Sequence, residues 1–390
     1  MTELPSILLS QLRVGLYVSL ELPWREHSFF SNAFKIRCEA DIRQLKALPL
    51  ERISYDPERS DLAPLEVVAE AKQRIDPAQR RAEMRRRRSE LKRCERAFFD
   101  VVERVRKIIT NLRSDPRAAV EDAEEVVGIM VDTLLGESGA ILQLVNTKSK
   151  NENAYYHAIN VSSLALLLGK AMGLNDEQMH HLGVGSLLHD IGEIEIPGKI
   201  LRKKGTLTRA ERDLFNMHAL YGLRIGQQMG TLDEEVLEII SSHHELWDGS
   251  GFPQGRVAEE LSLLTRIVCV VNTYDNLCNP VDPSRSKTPF EAMAYLYSRA
   301  GKTYDPKVVA YFIANLGVYP PGTLVRLSDG SIGRVLNLNP KSLLKPWVMI
   351  YDAEIPATEA LVLDLSREGV DVVEALTLDA ISPEVKEYLN

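Results

Sequence analysis

Cysteine is scarce and dispersed. Cys38, Cys94, Cys269 and Cys278 form no CxxC pair and no framework of the kind that staples a small secreted domain. A covalent scaffold is excluded, and reduced thiols are expected. Long apolar runs are missing as well. No stretch of about 18 apolar residues occurs, and Met1 opens a polar, proline-containing segment instead of a basic start followed by an apolar core. Neither a membrane segment nor a secretory leader is expected, and a cytoplasmic location is. Nor is there an excess of positive charge: 47 Lys and Arg stand against 55 Asp and Glu, a formal net charge of −8. Such a surface is a poor general footprint for a nucleic-acid polymer or an anionic membrane, so any phosphate-bearing ligand has to be held locally. What is present is the composition of a folded protein, 45% hydrophobic and 26% charged over 390 residues, enough for two or three cores.

The pattern along the chain is that of a multidomain, mainly α protein. Residues 1–62 read as a small α+β module, in which IRCEADIRQLKALPLERISYD predicts a strand end, a short helix starting near Glu39 or Asp41, and a second strand. Residues 63–116 read as a long amphipathic helical linker, because Leu91, Cys94, Phe98, Val102, Val105, Ile109 and Leu112 recur at steps of three and four. Its first half carries nine basic and three acidic residues between Arg80 and Arg96. A solvated face, an anionic partner and a dimer interface are the alternatives for that run. The apolar seam over 91–112 fits either an intrachain bundle or a homodimeric coiled coil. Residues 117–317 alternate helical segments with short breaks and predict an all-α domain. Two of its helices are expected to open with capping boxes, Thr208 with Glu211 and Thr231 with Glu234. Residues 318–390, with Pro-Gly and Asp-Gly turns between β-type segments, read as a small β-rich extension.

Histidine is where the chemistry concentrates. Of eight histidines, seven fall between His157 and His244, all in the expected helical domain. LLHDIG places His189 and Asp190 together at the end of an apolar helix. His218 is expected on the helix opened by Thr208, and His243 and His244 at the end of the helix opened by Thr231. His180 and His181 read as surface or packing positions. Any one of His157, His189, His218, His243 and His244 alone reads as an ordinary core histidine. Together with Asp190 they form a set that suits Fe, Mn, Zn or Ni, and an aspartate commonly bridges two such ions. The spacing therefore points to a metal-assisted hydrolase.

These same residues carry a family resemblance. His157, HDIG at 189–192, HxxxG from His218 to Gly222, HHE at 243–245 and DGSGFP at 248–253 resemble the motif series of HD-GYP domains. The N-terminal module resembles the uncharacterised domain often joined to them, and the PPGT segment their frequent C-terminal extension. The resemblance implies an all-α HD fold and hydrolysis of cyclic di-GMP to pGpG and/or GMP by water activated between two divalent ions. It further implies metal ligation by His157, His189, Asp190, His218, His243, His244 and the residue at Asn272, with Asp190 bridging. His189 and Asp190 are then the catalytic HD pair, and Asp248 is a supporting residue or a cap of its own turn.

Several positions depart from that pattern. Asn272 stands where the family has a metal-binding aspartate, with Asp275 matching the helix's second aspartate, which is not the usual ligand. Glu193 replaces a phosphate-contacting lysine and is either a repulsive charge or an added ligand. Asn153 replaces the glutamate that supports a third metal in some members, so two metals are expected. Phe252 takes the place of the signature tyrosine, and Val281 that of a basic residue that grips the dinucleotide, for which Arg285 and Lys287 are near enough in sequence to substitute. An active phosphodiesterase is the first expectation. A degenerate module that binds nucleotide or a partner protein without hydrolysis is the alternative.

Overall fold

The computed structural model describes the chain apart from residues 1–3, 21, 24–26, 28, 30, 51, 63–74, 112–113, 135–144, 146–152, 369 and 390, and apart from the side chains of 8, 10, 116, 133, 134, 153 and 154. Leu112 and the side chain of Asn153 thus lie outside the described residues. The chain divides into two compact units: Met1–Ala82 with Leu324–Arg334 and Trp347–Asn390, and Glu83–Thr323 with Val335–Pro346.

The first unit holds a small antiparallel sheet near the N-terminus. Short strands β1 (Ser6–Leu8), β2 (Tyr17–Ser19), β3 (Ala33–Lys35) and β4 (Arg52–Asp56) pair in the order β1-β4-β2-β3, with helix α1 (Glu39–Lys46) between β3 and β4. Val18 faces Phe34 on one side and Tyr55 on the other, and Leu16, Val18, Ile36, Leu45 and Ile53 close the core beneath them. Helix α1 begins where the sequence placed it: the Asp41 carboxylate accepts the N–H groups of Arg37 at 2.8 Å and Cys38 at 3.2 Å, which covers donors that a helix start leaves open.

The second unit is helical, running α2 (Pro77–Asn111, its first six residues belonging to the first unit), α3 (Pro116–Ile129), α4 (Asn153–Met172), α5 (Asp176–Leu188), α6 (Gly198–Leu201), α7 (Arg209–Asn216), α8 (His218–Met229), α9 (Glu234–Ser242), α10 (Leu263–Cys278), α11 (Pro289–Arg299) and α12 (Pro306–Leu316). A turn of π-helix, Met130–Leu134, follows α3, and a 3₁₀ turn, Ile191–Glu195, follows α5. Helix α4 is apolar on most of its circumference, and Ile159, Val161, Leu164, Ala165, Leu166 and Leu168 are fully buried, which makes it the central helix of the unit. It packs against α5 and α10, while α5 and α8 both pack against α9. The seam of α2 resolves in favour of the bundle: Cys94, Phe98, Val102 and Val105 are buried in the same core as α3 and α4, and the Phe98 ring lies 5.9 Å from that of Tyr156. That face is occupied within the chain and is not a free homodimer surface.

The remaining strands, β5 (Leu324–Leu327), β6 (Ile332–Asn337), β7 (Trp347–Ile350), β8 (Leu361–Asp364) and β9 (Val372–Leu376), form a sheet in the order β8-β7-β6-β5-β9, with α13 (Leu365–Glu368) after β8 and α14 (Pro383–Leu389) at the end. The β-rich extension is therefore present.

Two helix boundaries differ from expectation. Thr208 and Glu211 do form their box, with Glu211 accepting Thr208 N–H at 2.7 Å and Thr208 Oγ1 accepting Glu211 N–H at 3.3 Å. The second box is absent: Asp233, not Thr231, is the residue before α9, and its carboxylate turns away to His181 Nε2 at 3.1 Å. Likewise His218 is not on the helix opened by Thr208. That helix ends at Asn216, and His218 is the first residue of the next.

Candidate metal centre

Helix ends build the centre. His189 directly follows α5 and His243 directly follows α9, while His218 stands just past the end of α7. The last carbonyls of a helix lack intrahelical donors, and each of these imidazoles supplies one three residues back: Nδ1 of His189 donates to Ser186 O at 2.7 Å, of His218 to Phe215 O at 2.7 Å, and of His243 to Ile240 O at 2.9 Å. A carbonyl only accepts, so all three rings carry their proton on Nδ1 and turn a bare Nε2 inward. His157 lies within α4, where the carbonyls are already paired. Its Nδ1 reaches Asp275 Oδ2 on α10 at 2.7 Å instead.

The inward nitrogens converge on Asp190. One carboxylate oxygen, Oδ2, lies 3.1 Å from His189 Nε2 and 3.5 Å from His157 Nε2. The other, Oδ1, lies 3.3 Å from His243 Nε2 and 3.4 Å from His218 Nε2. Asp190 thus belongs to two groups at once, one with His157 and His189, the other with His218, His243 and His244, each with its donor atoms within 4.8 Å of one another. Gly192 permits this approach, since a Cβ there would overlap the backbone of His218 and Gly222. HDIG and HxxxG are two sides of one contact.

The electrostatics fit a cation. Nε2 of His218 and Nε2 of His243 are 3.1 Å apart. Both are acceptors once Nδ1 holds the proton, and both face an anionic oxygen, so three lone-pair-bearing atoms point at one another. Such a cluster is repulsive by itself and favourable around a divalent ion. Burial lowers the pKa of His243 to about 4 and that of His244 well below the ordinary value, which keeps these rings neutral. Burial also opposes ionisation of Asp190, but the charge and hydrogen bond of His189 in its protonated form outweigh it and hold the carboxyl well below its usual range, and a divalent ion would take the place of that proton. At His157 burial is overcome by the hydrogen bond and charge of Asp275, with Asp190 and Glu193 adding, and its pKa is pushed up to about 9, so this ring has to release its Nε2 proton to take an ion. The donor set therefore suits divalent metal binding.

The remaining expected residues sit around the cluster or apart from it. Glu193, on the 3₁₀ turn, is close enough to feel Asp190, and burial together with that charge raises its pKa to about 8. Asn272 is buried on α10, and its side-chain oxygen accepts Nδ2–H of Asn276 at 2.6 Å. Asp248 is exposed: its Oδ1 accepts the N–H of Ser250 at 3.0 Å and its hydroxyl at 2.6 Å. The turn-capping reading of Asp248 is the one its contacts match, and it is not among the clustered residues. Arg285 and Lys287 are exposed on the segment between α10 and α11. His180 is exposed near Glu124, and His181 is buried against Asp233. Asp275, read from the sequence as the helix's second aspartate and not as a ligand, has a role the sequence did not show. Fully buried, it accepts from His157 on one oxygen and from Asn160 Nδ2 at 2.9 Å and Asn279 Nδ2 at 2.8 Å on the other. The signal for it was present, since Asn272 and Asp275 lie three residues apart on one face of a helix.

Comparison with known proteins agrees with this geometry. The HD domain profile matches residues 140–308, which include every clustered residue and Asp275, and a domain of unknown function (DUF3391) matches residues 4–123. A cyclic di-GMP phosphodiesterase of Pseudomonas aeruginosa is 30% identical over 94% of this chain and 90% of its own length. The cyclic di-GMP phosphodiesterase response regulator RpfG of Xanthomonas campestris is 35% identical over 38% of this chain and 40% of its own, and a cyclic di-GMP phosphodiesterase of Thermotoga maritima 31% identical over 44% and 48%. Since one relative matches along almost the whole chain and the HD profile encloses the histidine cluster, the chain belongs to the HD-GYP family of HD-domain proteins.

Proposed function

We propose that the protein is a metal-dependent phosphodiesterase that hydrolyses cyclic di-GMP to pGpG and/or GMP, using two divalent ions from among Fe, Mn, Zn and Ni. The observation that carries the reading is the divided carboxylate of Asp190, with one oxygen toward His157 and His189 and the other toward His218 and His243. One carboxylate serving two imidazole groups is the arrangement of a bridging ligand. Bound there, divalent ions supply Lewis acidity toward phosphoryl oxygens and lower the pKa of water.

The chain's own part is to prepare that site. The Nδ1 hydrogen bonds hold His189, His218 and His243 in one tautomer and one orientation, and Asp275 does the same for His157. Full burial of His189 and His218 removes competing water from their nitrogens. Arg285 and Lys287 supply exposed positive charge for the substrate phosphates in place of the basic residue missing at Val281. Burial beside Asp190 favours the protonated form of Glu193 near neutral pH, and Asn272 carries no charge on α10, so neither departure adds a negative charge to the centre.

The test is metal analysis of the purified protein followed by incubation with cyclic di-GMP and chromatographic separation of the products. Wild type is expected to carry metal and release pGpG or GMP. His189→Ala and Asp190→Ala are expected to lose metal and product together while circular dichroism stays that of the wild type. Wild-type metal content in both variants would refute the ligand assignment. Binding of cyclic di-GMP without cleavage, with each of the four metals supplied, would establish the binding-module alternative.

A further inference from the structure

His244 is held differently from the other four imidazoles of the cluster. His157, His189, His218 and His243 each donate Nδ1–H to a protein oxygen. His244 has no ring hydrogen bond among the described residues, although it shares a group with Asp190, His218 and His243. Its ring lies instead against Phe252, with centroids 4.5 Å apart and planes 19° from parallel, and stands edge-on to His218 at 5.0 Å and 86°.

The loop that brings Phe252 there closes on a buried acid. Glu245 is fully buried, and its Oε1 accepts the N–H groups of Gln254 at 2.6 Å and Gly255 at 3.1 Å while Oε2 accepts that of Arg256 at 3.1 Å. Hydrogen bonds to a carboxylate are the strong kind, and three of them tie the far end of the loop to the residue next to His244. Phe252 N–H closes the ring by donating to His244 O at 3.2 Å. Gly251 is required at that crossing, because a Cβ would overlap the backbone of His244 and Leu246.

We propose that Phe252 is a positioning residue for the ligand His244, orienting it by stacking as a hydrogen bond orients each of the other four, and that Glu245 is the anchor that keeps the Phe252 ring in place. The proposal rests on the metal-centre reading above. An imidazole without an Nδ1 partner is free to turn about its last torsion and to take either tautomer. A flat ring lying on it removes the rotation. It follows that the flat ring, and not the hydroxyl of a tyrosine, is what position 252 contributes to metal binding. It also follows that only the half of the centre containing His244 depends on this loop.

Metal-free full-length protein titrated with Mn(II) by calorimetry tests this, with circular dichroism as the check on folding. Wild type and Phe252→Tyr are expected to bind two ions with the same pair of affinities. Phe252→Leu, which keeps bulk but loses the plane, is expected to weaken one ion by roughly 10–100-fold, the range for loss of a group that orients a ligand, and to leave the other unchanged. Glu245→Gln should do the same, since its amide turns a donor toward a backbone donor. His244→Ala should weaken the same ion, and adding Phe252→Leu or Phe252→Met to it should produce no further loss. Unchanged affinities in Phe252→Leu and Phe252→Met, or an equal loss on the His244→Ala background, would overturn the positioning role while leaving the metal centre intact. A wild type that binds no ion overturns the centre itself, and the positioning role with it.

Discussion

A histidine just past a helix C-terminus has an unpaired carbonyl within reach, and this chain uses that fact three times, at His189, His218 and His243. One local hydrogen bond satisfies the helix end and selects the nitrogen that faces the centre. His157 has no such carbonyl available inside α4, so its orientation depends on Asp275, distant in sequence by 118 residues. Asp275→Asn is therefore expected to lower metal affinity by roughly 10–100-fold with the fold retained. The amide keeps the bonds from Asn160 and Asn279 possible but removes the charge that holds His157. Calorimetric titration with Mn(II) checks this, and an unchanged affinity would remove Asp275 from the site. The position was visible in the sequence as an aspartate of an aspartate-containing helix, but its partner was not.

At the scale of elements, periodicity identified α2 and its apolar seam but left two fates for it. Burial of Cys94, Phe98, Val102 and Val105 in the chain's own core decides between them. Phe98→Glu combined with Val105→Glu is consequently expected to destabilise the folded chain and not merely to separate two copies. The loss is on the order of 3–5 kcal/mol for each unpaired buried charge. Urea denaturation reads the stability and sedimentation the mass. A stable variant whose mass halves would restore the dimer seam. Helix starts were legible only where the cap is local and uncontested. Thr208 and Glu211 pair with each other as the spacing predicts, whereas the acid before α9 is diverted to His181, a residue of another helix.

For the whole molecule the governing quantity is charge. The net −8 repels an anionic dinucleotide at long range, while any attraction comes from a few exposed cations such as Arg285 and Lys287. Screening weakens the distant repulsion first, since the Debye length falls to about 8 Å at physiological ionic strength. The kcat/KM for cyclic di-GMP is expected to rise, on the order of twofold, between 20 and 150 mM salt at saturating metal. Steady-state kinetics across that range measures it, and a fall would show that local cations dominate the encounter. Among the described residues no helix is long and apolar enough to cross a membrane, as the absence of long apolar runs led one to expect.

From the sequence alone came whatever depends on neighbours within a turn or two: the helical domain, the α1 start, the Thr208 box, the β-rich C-terminal segment, and the set of histidines and Asp190 from which the centre is made. Tertiary structure decided what depends on residues brought together from far along the chain. It chose the face that α2 buries, gave His157 its partner Asp275, aimed one oxygen of Asp190 at each imidazole pair, and left Asp248 to cap its own turn. It also grouped Leu324–Arg334 and Trp347–Asn390 with Met1–Ala82 in one unit. The physical reason is the range of the forces involved. Backbone hydrogen bonds and hydrophobic periodicity are set by the nearest few side chains, whereas the direction of a carboxylate oxygen or an imidazole nitrogen is set by whichever buried donor or acceptor packing places opposite it.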